Sequence, residues 1–344
     1  MPMRLFLIRH GETVDNVAGL YAGVRDSALT NYGVEQATKL GDYLGRTTKI
    51  THIYASPLQR AHKTAQAVHC HQQSQRKAVN ETDLDIVLVS ALIEQDFGYY
   101  EGKGFFARSD PKKSGRDAHY DDHKNDPGFV DVESKESICK RADAFLDHHL
   151  LPLFDAPSTG EGHVVAVVSH GILLSNLWRR LLLRLPRKSL TIAPEVTVAR
   201  DNLVLEHLGG WSNTGYLELM IRKIVIAESE NRAPNDVAIP TQEVGSVTAE
   251  FVAEADVSQT TRSTSAASRG ASSPFHNASV TSSSIPTSAA LSRRQLIGYA
   301  TTIVAVDSKQ HLVGLKRQRG GIGRLAHDEG QKKLDSFFKK RRVE

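Results

Sequence analysis

The chain has 344 residues, of which 40% are hydrophobic and 24% charged, so it can bury a core, yet no apolar run approaches the roughly 20 residues that span a bilayer. Its two cysteines, Cys70 and Cys139, exclude a disulfide framework and predict a reducing compartment. The formal net charge of +4 is uneven, because residues 309–344 hold 11 Lys and Arg against 4 Asp and Glu, which assigns any attraction to nucleic acid to this end.

Short apolar runs alternate with segments of helical spacing over the first 226 residues. The spacing predicts strands at residues 3–9, 50–56, 85–90, 163–169, 198–208 and 215–224. It predicts helices at residues 34–46, 57–71, 137–154 and 171–184. Strands that alternate with helices indicate an α/β fold, here a three-layer sandwich with a mostly parallel central sheet.

Three segments depart from this alternation. Residues 102–135 contain a stretch rich in Gly, Pro, Asp and Lys without a period, which predicts a long functional loop. Residues 227–298 are rich in Ser, Thr and Ala and are predicted to be a disordered linker open to phosphorylation. Residues 299–344 are predicted to be a basic tail, in which the β-prone run 301–306 docks either on the domain or on nothing.

Two histidines follow predicted strands in the same way. The sequence LIRHGETVDN places Arg9 and His10 where the first strand ends, and VVSHG places His170 after a later strand. In an open α/β sheet this edge is where ligands bind. Each histidine is followed by glycine, which lets the chain turn away and leaves the imidazole in the crevice. We therefore expect both rings to face one ligand.

Several ordered blocks make the sequence resemble the phosphoglycerate mutase-like branch of the histidine phosphatase superfamily over residues 3–226. The blocks are RHGET (9–13), YAGVRDSALTNYGVEQA (21–37), SPLQRAHKTA (56–65), LIEQDFGYYEG (92–102), VSHG (168–171) and SNTGYLEL (212–219). A lone RHG is a weak signal, whereas the blocks in this order are a strong one. The resemblance implies a phosphoglycerate mutase-like fold and phosphoryl chemistry on histidine.

The residue types suit that chemistry. A neutral His10 can attack phosphorus and split one difficult displacement into two easier ones. Arg9 and Arg60 can clamp the phosphoryl oxygens, and His170, as a cation or a hydrogen-bond donor, would complete the pocket. Such a set supplies positive charge without a metal ion, so neither a metal nor another cofactor is expected.

The resemblance also implies an acid and further phosphate-binding residues. Glu94 is expected to protonate the leaving oxygen and later to activate water, with Glu101 or Asp96 as alternative acids. The remaining predicted phosphate-binding residues are Asn16, Thr13 and Gly171. The segment around residues 111–113 is polar and bears lysine, which favours hydrolysis over a water-excluding mutase reaction. A phosphoprotein, a sugar phosphate and a nucleotide all remain open as substrates.

The C-terminal sequence QKKLDSFF, residues 331–338, has a separate pattern. A single 3₁₀ turn would place one polar and three apolar side chains together, those of Gln331, Leu334, Phe337 and Phe338. This resembles the PIP box, the peptide through which replication and repair proteins bind the sliding clamp PCNA. The basic residues around it suit nuclear import or a weak DNA-backbone contact. The alternative is a basic terminus that resembles the motif by coincidence.

The sequence thus predicts a nuclear phosphatase, tethered to PCNA, that hydrolyses a phosphomonoester through a phosphohistidine. Two alternatives stay open. One is a catalytically weak phosphate-binding adaptor recruited to replication, repair or transcription complexes. The other is a cytosolic metabolic sugar-phosphate phosphatase or phosphoglycerate mutase. No membrane partner is expected.

Overall fold

The computed structural model describes residues 2–78, 83–104, 120–157, 162–200, 203–224, 294–317 and 322–327. Its centre is a seven-stranded sheet in the order β3-β2-β4-β1-β6-β7-β5. The strands are β1 (Met3–Arg9), β2 (His52–Ala55), β3 (Ile86–Leu88), β4 (His163–Ser169), β5 (Leu190–Ile192), β6 (Tyr216–Lys223) and β7 (Tyr299–Ser308). Only β6 runs against its neighbours, so the predicted α/β fold with a mostly parallel sheet is confirmed.

Helices cover both faces of this sheet. They are α1 (Val14–Ala18), α2 (Asn31–Thr47), α3 (Gln59–Ala78), α4 (Lys135–Phe145), α5 (Gly171–Leu182) and α6 (Pro194–Ala199). After α4 the chain continues as a π-helical turn and a 3₁₀ turn to Phe154.

Strand β1 shows why the core has two halves. Successive side chains of a strand point to opposite faces. Leu5 and Leu7 accordingly pack in one buried cluster with α4 and α5, whereas Phe6 and Ile8 pack in another with α2 and α3. The fold is therefore a three-layer sandwich.

The helices that carry the site begin at well-defined positions. The Thr30 hydroxyl accepts the N–H of Gly33 and so caps α2. Helix α5 begins directly after His170, and its buried face repeats with helical spacing through Leu173, Leu177 and Leu181. Both starts lie at the edge of the sheet where β1 and β4 end.

Strand β7 extends the domain beyond its predicted limit. The sequence placed residues 299–344 in a basic tail, yet Tyr299–Ser308 lies between β6 and β5 in the sheet. It pairs antiparallel with β6, from Lys223 opposite Tyr299 to Tyr216 opposite Ser308. Since the run 301–306 is β-branched and apolar, its burial in the sheet has a simple cause. The domain therefore includes residues that the boundary at 226 excluded.

The strand predicted at residues 198–208 is wrong. Helix α6 starts after Ala193 with Pro194 in its first turn, a position that suits proline. The strand in this part of the chain is β5, which pairs with β7. Over 203–208 only an isolated bridge joins Val204 and His207.

Parts of three predicted segments lie outside the described residues. These are residues 105–119 of the predicted loop, 227–293 of the predicted linker, and 318–321 and 328–344 of the predicted tail, the last of which include the PIP-box-like peptide. Within the described ranges, no helix is both long and apolar enough to cross a membrane.

Candidate active site

His10 and His170 meet because their strands are parallel neighbours. Arg9 and Ser169, the last residues of β1 and β4, form the final pair of the β1–β4 ladder. The next residue of each strand is a histidine, and the two ring centroids are 5.1 Å apart with a 58° tilt between the planes. The structure thus brings together the two rings that the sequence placed at one sheet edge.

One nitrogen of His10 is fixed by the backbone. Its Nδ1 lies 2.7 Å from the carbonyl oxygen of Gly11, which accepts a hydrogen and so makes Nδ1 the protonated nitrogen of the neutral ring. The other nitrogen, Nε2, then carries a lone pair. Burial, followed by the charges of Arg60 and Arg9, lowers the pKa of His10 well below its ordinary value. At neutral pH the ring is therefore uncharged and has a defined tautomer.

Close backbone contact explains the glycine after His10. A Cβ on Gly11 would lie 2.6 Å from the carbonyl oxygen of Gly33, which is too close for a carbon atom. A Cβ on Gly33 would in turn lie 2.1 Å from the carbonyl oxygen of Glu12. The two glycines let the loop after β1 lie against the start of α2.

His170 is neutral in this arrangement, so of the two forms expected for it, a cation or a hydrogen-bond donor, the geometry favours the donor. Its Nδ1 accepts the N–H of Arg60 Nε over 3.1 Å, so this nitrogen carries no proton. Its Nε2 lies 2.8 Å from the hydroxyl oxygen of Ser56. Burial, then the neighbouring Arg60, lowers the pKa of His170 well below its ordinary value. The proton is therefore on Nε2, which donates to the Ser56 hydroxyl oxygen, so both ring nitrogens are engaged.

Arg60 holds a loop as well as the imidazole. It is 1% exposed, and its two Nη atoms donate to the carbonyl oxygens of Ala22, Gly23 and Arg25 over 2.6–3.0 Å. With the bond to His170, four of its five N–H groups are engaged. Arg60 therefore joins the segment 22–25 to the second histidine.

Arg9 has one donor that remains open. The Nη1 of Arg9 donates to the carbonyl oxygen of Trp211 over 2.5 Å, but its buried Nε has no partner among the described residues. Gly171 lies next to this Nε, since a Cβ added to Gly171 would be 3.9 Å from it. The arrangement suits an anion beside the Arg9 guanidinium.

Glu94 is 8% exposed and caps that same helix. Its Oε1 accepts the N–H groups of Gln95 and Leu173, both over 2.9 Å, and its Oε2 accepts that of Ile172 over 3.1 Å. Its charge acts on both Arg9 and Arg60 and opposes the fall in their pKa that burial causes. Glu94 is thus held beside the two guanidinium groups.

The two alternative acids are engaged elsewhere. The Asp96 carboxylate accepts the N–H of Gly98, and the Glu101 carboxylate accepts five hydrogen bonds from backbone N–H groups. Of these three carboxylates, Glu94 is the one that contacts the start of α5, directly after His170, which favours it as the acid.

Thr13 and Asn16 form one structural unit. Thr13 is fully buried and caps α1 by accepting the N–H of Asn16 over 3.1 Å. The side-chain oxygen of Asn16 accepts the N–H of Thr13 and an amide N–H of Asn213. Only the Nδ2 of Asn16 is thereby left to donate to a ligand, so Thr13 acts on the site through the loop it caps.

The structure adds residues that the sequence analysis missed. Asp307, at the end of β7, binds Ser212, and His311 binds Thr214 over 2.9 Å. The N–H of Thr214 donates to the carbonyl oxygens of Arg9 and His10. The β-prone run at 301–306 was the available signal, because a strand there predicts that its flanking polar residues reach the sheet edge.

A second contact from beyond β7 reaches the RHGET segment. Arg317 forms an ion pair with Glu12, which also accepts the hydroxyl of Thr30 over 2.9 Å. The guanidinium carbon of Arg317 lies 4.4 Å from the ring centroid of Tyr32. Among the described residues, no group of three His, Cys, Asp or Glu side chains is arranged to hold a metal ion.

Known proteins share this sequence pattern. Over residues 5–200 the chain matches the family described as the histidine phosphatase superfamily (branch 1). A probable phosphatase of Schizosaccharomyces pombe is 32% identical over 212 residues, which cover 59% of this chain and 65% of that protein. A probable phosphoglycerate mutase of Erwinia tasmaniensis is 31% identical over 180 residues, which cover 52% of this chain and 75% of that protein. The chain thus spans just under two thirds of the first of these relatives.

One solved structure also aligns with this chain. A phosphoglycerate mutase from Bacillus anthracis is 23% identical and has a TM-score of 0.43, over 64% of this chain and 88% of that chain.

Proposed function

Since the chain belongs to branch 1 of the histidine phosphatase superfamily, we propose that it hydrolyses phosphomonoesters through a phosphohistidine formed on His10. The observation that carries this proposal is the tautomer of His10. Its Nδ1–H is given to the Gly11 carbonyl, so the Nε2 lone pair is free to attack. An uncharged nucleophile beside two guanidinium groups suits a dianionic phosphoryl group.

The reaction has two displacements. In the first, His10 Nε2 forms a bond to phosphorus as the ester P–O bond breaks, and Glu94 gives a proton to the leaving alcohol. In the second, Glu94 takes a proton from water, whose oxygen attacks phosphorus while the P–N bond breaks. The products are the alcohol and inorganic phosphate.

Positively charged side chains and unpartnered donors are available to bind the transferred phosphoryl group. Arg9 offers its unpartnered Nε. Asn16 offers its amide, and His170, held by Arg60, offers one face of the pocket. Charges fixed before the reaction stabilise the transition state without reorganisation.

The test combines turnover with trapping of the intermediate. Wild-type protein should hydrolyse an aryl phosphate and hold acid-labile, base-stable phosphate after rapid denaturation. His10→Asn should lose both, whereas the exposed His148→Asn should keep both. Full activity in His10→Asn would contradict the proposal.

Mutase activity is the second candidate reaction, because one of the similar proteins is named a probable phosphoglycerate mutase. In that reaction the phosphohistidine passes its phosphoryl group to a second hydroxyl instead of water. Incubation of phosphorylated protein with a phosphoglycerate separates the two reactions, since hydrolysis releases inorganic phosphate and transfer does not. We favour hydrolysis, with a sugar phosphate, a nucleotide or a phosphoprotein as substrate.

We also propose that the C-terminal peptide directs the enzyme to PCNA in the nucleus. The support is the sequence pattern of Gln331, Leu334, Phe337 and Phe338, with basic residues on both sides. Aromatic anchors are what a short peptide needs to offset the entropy it loses on binding. Calorimetry with peptide 325–344 should show binding to PCNA that Phe337→Ala/Phe338→Ala removes. Absence of binding would contradict the proposed recruitment to PCNA but not the proposed phosphatase activity.

The adaptor hypothesis predicts a different outcome in the same experiments. An adaptor would bind phosphate and PCNA but would not turn over an aryl phosphate. The presence of both histidines, both arginines and Glu94 around one site favours the enzyme.

A further inference from the structure

A carboxylate occupies a loop of backbone N–H groups beside the candidate active site. The Glu101 side chain accepts the N–H of Gly23 over 3.0 Å, that of Val24 over 3.1 Å and that of Arg25 over 3.2 Å. It also accepts the N–H of Phe97 over 3.0 Å. Successive N–H groups that converge in this way form a nest, a common anion-binding arrangement.

The nest is built to let an anion come close. A Cβ on Gly23 would lie 2.4 Å from Oε1 of Glu101 and 2.0 Å from the carbonyl oxygen of Gln95. Any side chain at this position would therefore push the carboxylate out. Gly102, which follows Glu101, has a φ of +78°, a conformation that favours glycine. Both glycines therefore allow the Glu101 carboxylate to lie in the nest.

One guanidinium group separates this nest from the second histidine. Arg60 donates to the carbonyl oxygens of Gly23 and Arg25 on one side and to Nδ1 of His170 on the other. The Glu101 charge is close enough to raise the pKa of Arg60 against the effect of burial. An anion in the nest is thus a neighbour of the phosphate-binding groups.

Other charges near the nest are already paired. The Nε of Arg25 lies 3.2 Å from a carboxylate oxygen of Asp15, which is buried. Four of the five N–H groups of Arg60 already donate hydrogen bonds within the protein. These donors of Arg25 and Arg60 therefore serve the protein's own groups.

We propose that the Glu101 carboxylate fills an anion-binding nest that a second negative group of a substrate could otherwise occupy. The enzyme would thereby select phosphomonoesters whose alcohol carries no negative charge close to the phosphate. The inference rests on the proposed phosphomonoester hydrolysis and names its substrate class. A substrate carboxylate directed at the nest would meet the Glu101 carboxylate instead of free N–H groups. Like charges that close oppose each other, and the donors would be unavailable.

Two small phosphates that differ in one group provide the probe. Glycerol 3-phosphate ends in a CH₂OH group where 3-phosphoglycerate has a carboxylate. Each is measured as a competitive inhibitor of aryl phosphate hydrolysis. We expect wild-type enzyme to bind glycerol 3-phosphate at least tenfold more tightly than 3-phosphoglycerate.

Removal of the internal carboxylate should reverse this preference. Glu101→Ala should change the ratio of the two inhibition constants at least tenfold in favour of 3-phosphoglycerate. Added formate or acetate should refill the nest and restore the wild-type ratio. Glu101→Ser, whose short side chain leaves the nest without a carboxylate, provides the same readout if the alanine variant does not fold. The exposed Glu195→Ala, which removes one surface carboxylate, should leave the ratio unchanged.

The outcomes separate this inference from the reaction itself. If both variants weaken the two inhibitors equally and carboxylates do not rescue, Glu101 only holds the loop and the inference is wrong. Wild-type protein that shows neither aryl phosphate turnover nor phosphohistidine would overturn the proposed function, and the substrate class with it. An active wild type with an unchanged ratio in Glu101→Ala overturns only the role of Glu101.

Discussion

The Asp307 carboxylate accepts both the backbone N–H of Ser212, over 2.8 Å, and the Ser212 hydroxyl, over 2.7 Å. The residues on either side of Ser212 contact the site. Trp211 receives a hydrogen bond from Arg9, and the amide of Asn213 donates to the carbonyl oxygen of His10. A residue of β7 thereby fixes the loop that supports the proposed nucleophile.

Substitution of Asp307 should therefore reduce kcat more than it changes KM. Asp307→Asn keeps the size of the side chain but loses the charge and one acceptor. We expect kcat for an aryl phosphate to fall about 10–100-fold, because small displacements of reacting groups have costs of that order. Steady-state kinetics measures the split, and thermal unfolding shows whether the fold is retained.

Asp155→Asn is the matched control for this prediction. Asp155 also holds an ion pair, with Arg294, but it is exposed and has no contact with the loop at 211–215. It should leave kcat unchanged. Equal kinetic effects of both substitutions would show that Asp307 has no special link to the site.

The local signals in the sequence were sufficient for strands β1–β4 and β6 and for the histidine pair. A strand followed by His-Gly is contained in about ten residues, and parallel neighbours must bring such ends together. The prediction that His10 and His170 lie side by side follows from this. Their protonation does not, because His170 Nδ1 accepts from Arg60, which is 110 residues earlier in the chain.

The parts of the site that could not be predicted depend on β7. More than seventy residues separate the ends of β6 and β7, so no periodicity links Asp307 to Ser212. In the sequence Asp307 and His311 are polar residues next to a basic segment, which usually indicates a solvated surface. Only strand pairing brings them to the loop after Leu208.

The chain between β6 and β7 should be dispensable for folding. Lys223 is paired with Tyr299, and the N–H of Ile224 donates to the Gly298 carbonyl over 2.7 Å, so both ends of the connection are close together. Replacement of residues 226–292 by about ten Gly and Ser residues should stabilise the domain by about 1–2 kcal/mol, because a shorter loop costs less entropy to close. Urea unfolding and aryl phosphate turnover are the measurements, and an insoluble or inactive product would contradict the expectation.

Two arginines that follow residue 293 form bidentate ion pairs, and these pairs should contribute differently to the free energy of unfolding. Arg317 pairs with Glu12, whose side chain is 11% exposed, whereas Arg294 pairs with Asp155, whose side chain is 66% exposed. Arg317→Ala should lower the free energy of unfolding by about 2 kcal/mol, since it leaves a largely buried carboxylate without its cation. Arg294→Ala should cost less than about 1 kcal/mol, because water screens an exposed pair. Urea unfolding of both variants measures the difference, and equal losses would contradict it.

His311 should make stability depend on pH below neutrality. Burial lowers its pKa from 6.5 to about 4, and among the described residues its Nδ1 has no partner to stabilise a second proton. Between these values the unfolded chain binds the proton and the folded chain does not. The free energy of unfolding should thus fall as pH decreases from 6.5 to 4, by up to about 3 kcal/mol from this group.

His311→Gln tests this directly, because glutamine can still donate to the Thr214 hydroxyl but does not titrate. Urea unfolding between pH 4.5 and 7.5 should give a shallower pH dependence for this variant than for wild type. Some dependence should remain, since burial also lowers the pKa of His10 and His170. The exposed His148→Gln should follow the wild-type curve. Parallel curves for His311→Gln and wild type would mean that His311 titrates alike in the folded and unfolded chain.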